Sequence, residues 1–258
     1  MKLKLVPARQ GVLWVRQGLG VFFARPLAFC SLYFLCILFA PFFIVMVGPV
    51  TWLGFMIATR RAQNGKLLWP AVFIEPLQTT RSQVIAQLQL CLLYAIGTIL
   101  LSWLVQQTGA DWNGAAHVLF SGQATPEQVE ALLGDPKLQA AQLVALVGLA
   151  VLSIPFWYAP ALVHWGKLSA AKALFFSVVA CWRNKGALAA HALVWFAVLV
   201  GVSMLASLVL LLVGPESSIV VMPALLMFPA AICASLYFTF ADSFEIPDEI
   251  PGIAQETP

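Results

Sequence analysis

An all-α, polytopic transmembrane helical bundle is the fold class this sequence predicts. The expected layout has six spans, two basic amphipathic interfacial helices on the cytoplasmic side, and an internal parallel repeat. Three observations predict it. Of 258 residues, 61% are apolar and 10% charged, against about 45–50% and about 25% in soluble domains, and the mean hydropathy is +0.91. The apolar residues fall in runs long enough to cross a hydrocarbon core, which takes about 20 helical residues. The charged residues sit between those runs, with thirteen of the fourteen basic ones on one side of the six-span plan. A water-soluble core of this length could not enclose so much apolar surface, so the excess faces lipid.

The N-terminal MKLKLVPARQG has basic residues but no adjoining apolar h-region and no small-residue cleavage site, and reads as a retained cytoplasmic end. Residues 8–24 place Val12, Val15, Leu19 and Phe22 on one helical face, opposite Arg9, Gln10, Arg16 and Gln17. That is a basic amphipathic helix for the membrane interface, with Trp14 suited to headgroup depth. Between Arg25 and Arg60 come 34 residues without charge, more than one straight span needs and fewer than two comfortable ones. The spacing predicts two short spans, 26–40 and 42–62, turning near Ala40-Pro41, the second kinked at Gly48-Pro49. A single long tilted span would instead strand Arg60 and Arg61 outside.

Gly65, Pro70 and Pro76 mark 63–82 as a loop, and Ser82 is a fair N-cap for a third span over 84–105. Gln87 and Gln89 near its start suit interfacial or interhelical hydrogen bonding. The polar segment 106–135 forms an external loop. In its Thr125-Pro126-Glu127-Gln128 run the threonine can cap, the proline suits the first helical position and the glutamine can reach back, with Gly134 ending the short helix. Asp135-Pro136 repeats that logic and starts a fourth span over 137–160, loosened at its cytoplasmic end by Pro155 and Pro160 and belted by Trp157, Tyr158 and Trp165. A second amphipathic helix follows, sharing Leu168, Ala171, Phe175, Val178 and Trp182 on one face with Lys172 and Arg183 elsewhere. The fifth span, 187–213, carries the small-residue pairs Ala197/Gly201 and Ser203/Ser207, which suit a packing face or an oligomer seam. After a turn at Gly214-Pro215-Glu216 the sixth, 218–241, returns with Pro223 and Pro229. Residues 1–242 thus read as one transmembrane domain, and 243–258 as an acidic, disordered cytoplasmic tail.

Basic residues in short loops stay cytoplasmic. Only Lys137 falls outside in the six-span plan, whereas merging the first two spans would divide the basic residues between the two sides. The chain ends also share a plan of amphipathic helix, span, turn, Pro-kinked span and charged stop, over 8–62 and 168–242. Any hairpin entered from an interfacial helix would look the same.

No Asp, Glu, Lys or Arg lies well inside a span, which argues against carriers built on buried carboxylates and against voltage sensors. His117, His164 and His191 are scattered without ligand spacing, so no metal is expected. Cys30, Cys36, Cys91, Cys181 and Cys233 have no CxxC pattern and read as small apolar residues. Neither GxSxG nor GxxxxGKS occurs. The expectation is therefore no enzyme, no cofactor and no nucleic-acid partner. What remains is the cytoplasmic face. Arg9, Trp14, Arg16, Arg25, Arg60, Arg61, Lys172, Trp182, Arg183 and Asp242 are the candidate contacts there, for membrane lipids, above all anionic ones, for a partner membrane protein, or for a second copy of the chain. Each basic residue near an anionic surface contributes about 1 kcal/mol of attraction.

The pieces VPARQGVLWVRQGLGVFFARPL, APFFIVMVGPVTWLGFMIATRRAQNG, FWYAPALV followed by an amphipathic helix ending in RN, and YFTFADSF cover nearly the whole chain outside 106–135 and the tail. In these the sequence resembles the BPSS1780-type family of betaproteobacterial inner-membrane proteins. That resemblance implies a bacterial cytoplasmic membrane and carries over no activity, substrate or catalytic residue. The expected function is a non-enzymatic membrane component engaging lipid headgroups or a partner through its basic cytoplasmic face. The alternative is a transporter or channel for a neutral or lipidic small molecule, suggested by the repeat and the proline-broken spans (Pro49, Pro155, Pro160, Pro223, Pro229).

Overall fold

In hydrocarbon every backbone N–H and C=O must find its partner within the chain. The described residues of this protein meet that demand with helices and one isolated bridge, Leu3 to Phe244. The structure, a computed structural model, describes residues 2–120 and 125–245, the side chains of 39–47, 119–120, 126, 215, 220, 222–224 and 226 excepted. Its α-helices are α1 (Gln10–Ala24), α2 (Pro26–Gln63), α3 (Arg81–Gln106), α4 (Trp112–Phe120), α5 (Pro126–Gly134), α6 (Pro136–Phe156), α7 (Ala159–His164), α8 (Ala170–Arg183), α9 (Lys185–Val213) and α10 (Ser218–Ser243). Short 3-10 turns at Pro70–Phe73 and Glu75–Leu77 lie between α2 and α3.

Among the described residues three helices are long and apolar enough to cross a membrane: α3, α6 continued through α7, and α9. The number rises to four if α1 and the first arm of α2, bent by 98° against each other, form one broken span. The expected six spans are corrected accordingly, and α2 supplies the physical reason. Its rings Tyr33 and Phe55 lie 6.5 Å apart, whereas 22 residues of straight helix would separate them by about 33 Å. The Arg25 guanidinium likewise reaches the Lys66 carbonyl. The chain therefore doubles back between Tyr33 and Phe55, where a turn was expected. However, the arm Pro26–Leu38 rises only about 20 Å, short of a hydrocarbon core of about 30 Å. By itself 26–40 is therefore too short to cross.

The local signals around α3 to α6 have direct counterparts. The Thr125 hydroxyl accepts from the Gln128 amide at 3.3 Å and the Gln128 side chain accepts from the Thr125 amide at 3.0 Å. Asp135 accepts from the Lys137 amide at 2.8 Å. The segment 106–135, expected as an external loop, thus carries α4 and α5. Helix α3 begins one residue before the expected cap, so Ser82 is inside it. Thr80, in extended conformation, precedes it and donates its hydroxyl to Gln83 at 2.8 Å. The Gln83 amide donates to the His164 carbonyl at 2.8 Å and the Gln87 amide to that of Pro160 at 2.8 Å, which clamps α3 to α7. Gln89 is exposed. Helix α6 ends just after Pro155, and the freed Tyr158 amide donates to Ser177 of α8 at 3.1 Å.

Two expected helix faces turn out differently. On α1 the inward face is Gly11, Trp14, Val15, Gly18 and Phe22, with Val12 exposed. The glycines decide this rotation, because they let α1 lie backbone to backbone on its neighbours. A Cβ at Gly11 would overlap the Ala187 carbonyl and stand 2.7 Å from the His191 amide nitrogen of α9. A Cβ at Gly18 would meet Ser235 of α10 at 2.5 Å. On α8 the small residues Ala170, Ala173, Ser177 and Ala180 pack inward, while Phe175, Val178 and Trp182 point out. The repeat is not reproduced in packing: α1 docks on α9 and α10, whereas α8 docks on α6 and α7. The pairs Ala197/Gly201 and Ser203/Ser207 are exposed, with nothing within 4 Å of a Cβ at Gly201, so they pack no element of this chain. The expected disordered tail lies outside the described residues from 246 on. Ser243, Phe244 and Glu245 are ordered against the N-terminus, as the next section describes.

Candidate functional site at the basic end of the bundle

The two chain ends meet. The Lys4 amide donates to the Ser243 carbonyl at 2.9 Å and the Glu245 amide to the Lys2 carbonyl at 3.0 Å. Asn184, at the α8–α9 junction and only 1% exposed, holds this pairing from below. Its Oδ1 accepts from the Val6 amide at 3.1 Å, and its Nδ2 donates to the Lys4 carbonyl at 3.1 Å and to Ser243 Oγ at 3.2 Å. All the donors and one acceptor site of the amide are used, which is why Asn and no charged residue suits this position. In the residue before Ser243, Asp242 Oδ2 accepts from Gln10 Nε2 and from Trp14 Nε1, both at 2.7 Å.

The same end gathers the close of α2 and of α7. Trp165 stacks 5.1 Å from Phe240 and 6.0 Å from Tyr237, near the C-terminus of α10. The Arg60 guanidinium lies 5.8 Å from the centre of the Trp165 ring. Arg61 pairs with Glu75 at 2.6 Å, both about one-third exposed. Ile57, Arg60, Arg61, Asn64, Lys66, Glu75 and Trp165 enclose a cleft of about 170 Å³. Lys137 is remote from all of these. It begins α6, whose 21 residues place it about 30 Å away.

The ten candidate residues therefore divide. Arg9, Arg16, Lys172, Trp182 and Arg183 are exposed on α1 and α8, and the Lys185 ammonium sits 4.8 Å over the Trp182 ring. Arg25, Arg60 and Arg61 are half-buried around the cleft. Trp14 is fully buried and bonded to the half-buried Asp242, so Trp14 is not at the surface, and their pairing locks α1 to α10. Asn64, Lys66, Glu75 and Trp165 are the participants that sequence reasoning passed over as contacts, whereas Asn184 was noted beside Arg183 as able to pair with the α10 end. Asn184 shows its importance only through partners some 180 residues away.

A polar link in the interior joins a histidine to a serine. His191 Nε2 lies 2.9 Å from Ser235 Oγ, and the Trp195 indole donates to both, at 3.1 and 3.2 Å. A histidine beside a serine is the beginning of a nucleophile–base pair. Here the Ser235 hydroxyl donates to the Ile232 carbonyl at 2.7 Å, and Gly18 closes directly over it. The pair joins α9 to α10 and leaves no approach for a substrate. Burial pushes the Cys181 thiol up to about 12, so it is not a thiolate at neutral pH. Among the described residues no three His, Cys, Asp or Glu side chains are grouped to hold a metal.

The chain is 31% identical to a probable inner membrane protein of Burkholderia thailandensis, over 98% of this chain and 96% of the relative. It belongs to that family of inner membrane proteins. No family model and no solved structure matches the chain. An inner-membrane setting accords with the outward faces of α3, α6 and α9, where large side chains such as Leu92, Leu146 and Leu205 are more than half exposed and require lipid.

Proposed function

We propose that this protein is a non-enzymatic component of the bacterial inner membrane that gathers anionic lipid headgroups on a basic cytoplasmic face. One observation carries the reading. Arg9, Arg16, Lys172 and Arg183 are all exposed on α1 and α8, the two helices that flank the meeting point of the termini. Outward-pointing Phe175 and Trp182 lie on the same surface of α8, with bulky apolar groups toward lipid and cations at the headgroups. Within its family we place the chain with the BPSS1780-type proteins. A membrane-protein partner or a second copy would use the same face.

The bridge between Leu3 and Phe244 supports termini on one side and therefore an even number of crossings, and the concentration of basic residues there supports the cytoplasm. A topology reporter inserted after Lys66 should report cytoplasm, and one inserted after Gly109 the periplasm. The reverse pattern would overturn the orientation. Neutralising Arg9, Arg16, Lys172 and Arg183 together to glutamine should lower the share of anionic lipid that co-purifies from native membranes, and unchanged lipid composition would sink the headgroup reading. A second reading, a conduit for a neutral or lipidic molecule, draws on the doubled-back α2, whose short first arm is the kind of half-helix that lines such paths. Uptake of a neutral solute by vesicles containing the protein would favour it.

A further inference from the structure

The stretch between α2 and α3 carries the glycine and prolines of a loop, yet its outward side chains are apolar where a loop in water would be polar. We propose that residues 67–77 are a preformed wedge that dips into the leaflet at the basic end of the bundle. Its partner is the boundary between lipid headgroups and acyl chains. The wedge is a different surface from the cations of α1 and α8 and does not rest on the headgroup reading.

From Leu67 to Thr80 the one charged residue is Glu75, and it is drawn to Arg61 of α2 at 2.6 Å. What points away from α2 and α3 is apolar: Leu67 is 65% exposed, Trp69 60% and Ile74 55%, with Leu77 exposed beside them. The underside is anchored. Val72 and Pro76 are buried, and the Phe73 ring packs 5.4 Å from that of Phe55. Gly54 leaves room for that ring, which a Cβ there would overlap. Arg25 fixes the near end through the Lys66 carbonyl. Side chains held outward by so firmly docked a segment form a standing apolar patch, the kind that marks an interaction or membrane surface.

Entry into the interface also requires a backbone whose polar groups are already bonded. The amides of Val72, Ile74, Leu77 and Gln78 donate to the carbonyls of Trp69, Ala71, Ile74 and Glu75 at 2.8–3.2 Å. Pro70 and Pro76 carry no N–H at all. Two 3-10 turns thus serve this segment as a longer helix serves an interfacial peptide. Exposed Lys66 and Arg81 bracket it and suit phosphate level, while Trp69 suits the boundary beneath. Continuity identifies the occupant as lipid. The Glu75–Leu77 turn packs on α3, whose outward Ile85, Leu88 and Leu92 belong to the lipid-facing surface described above.

The experiment places p-benzoylphenylalanine in the full-length protein at Leu67, Trp69 or Ile74, with Leu92 of α3 as the lipid-facing reference. Native membranes are irradiated and the adducts identified by mass spectrometry. We expect acyl-chain adducts from all three positions, at yields comparable to that from Leu92. With the label at Leu67, Trp69→Glu/Ile74→Glu should lower the lipid adduct about tenfold, because charge is driven out of the interface. Trp69→Phe/Ile74→Leu should keep it. Neutralising Arg9, Arg16, Lys172 and Arg183 to glutamine should leave it unchanged, which separates the wedge from the headgroup reading. No lipid adduct from Trp69 and Ile74 alongside one from Leu92 would overturn the wedge, as would an undiminished adduct in the glutamate variant. Adducts to another membrane protein in place of lipid would overturn it in favour of a partner surface.

Discussion

Gly11→Ala should lower the thermal stability of the purified protein by about 3 kcal/mol or more, while Gly20→Ala should leave it unchanged or raise it slightly. Both substitutions add the same methyl group to the same helix, and helix propensity alone favours alanine by roughly 0.5–1 kcal/mol. The difference lies in what the methyl meets. At Gly20 there is nothing within 4 Å, whereas at Gly11 the nearest atoms are the Ala187 carbonyl and the His191 amide nitrogen, at 2.7 Å. These are backbone atoms of α9 and cannot rotate aside, so α1 itself must lift. Overpacking that soft side chains can absorb costs about 1–3 kcal/mol, and rigid backbone puts this case at or above the top of that range. Gly18→Ala should behave like Gly11→Ala, since Ser235 Cα would stand 2.8 Å away. Equal unfolding midpoints for the Gly11 and Gly20 variants would refute the close docking of α1.

Asn184→Ala should open the N-terminal segment. The substitution removes the acceptor for the Val6 amide and the donors to the Lys4 carbonyl and Ser243 Oγ. Each buried polar group left without a partner costs about 1–3 kcal/mol. The N-terminal strand can escape to water, since Lys4 is exposed and Val6 half-buried, so the sum should stay near 2–4 kcal/mol. The local consequence is more telling than the global one. Trypsin should cut after Lys4 readily in the variant and slowly in the parent protein. Equal cleavage rates would mean that the meeting of the termini does not depend on Asn184.

Much of this fold was legible in the sequence, and where it was not the reasons are specific. Thr125 with Gln128, and Asp135 with Pro136, declare their helices because capping involves atoms within three residues of each other. Helix α9 declares itself because its outward faces are so uniformly apolar. The face of α1 was misjudged because an apolar periodicity gives no weight to glycine, and Gly11 and Gly18 define the inward face by absence of side chain. Trp14 looked like a headgroup anchor because an indole needs a hydrogen-bond partner and water is the nearest default. Its actual partner, Asp242, lies 228 residues along the chain. In α2, apolar residues on all sides leave no stripe, and its fold-back was read from the length of the uncharged run between Arg25 and Arg60 and from the need to keep the basic residues on one side. The cleft was half visible: Arg60 and Arg61 stood out, but nothing in their neighbourhood pointed to Trp165.

The seat of α1 has a consequence for how the molecule is made. The surfaces that receive Gly11 and Gly18 belong to α9 and α10, which leave the ribosome more than 150 residues after α1. Synthesis at about 5–20 residues per second means that α1, once made, waits roughly ten to forty seconds for its binding surface. During that interval its glycine-lined face has no partner in the chain, and its exposed Arg9 and Arg16 can hold it on an anionic lipid surface. A nascent chain stopped before Ser235 lacks the surface that seats Gly18.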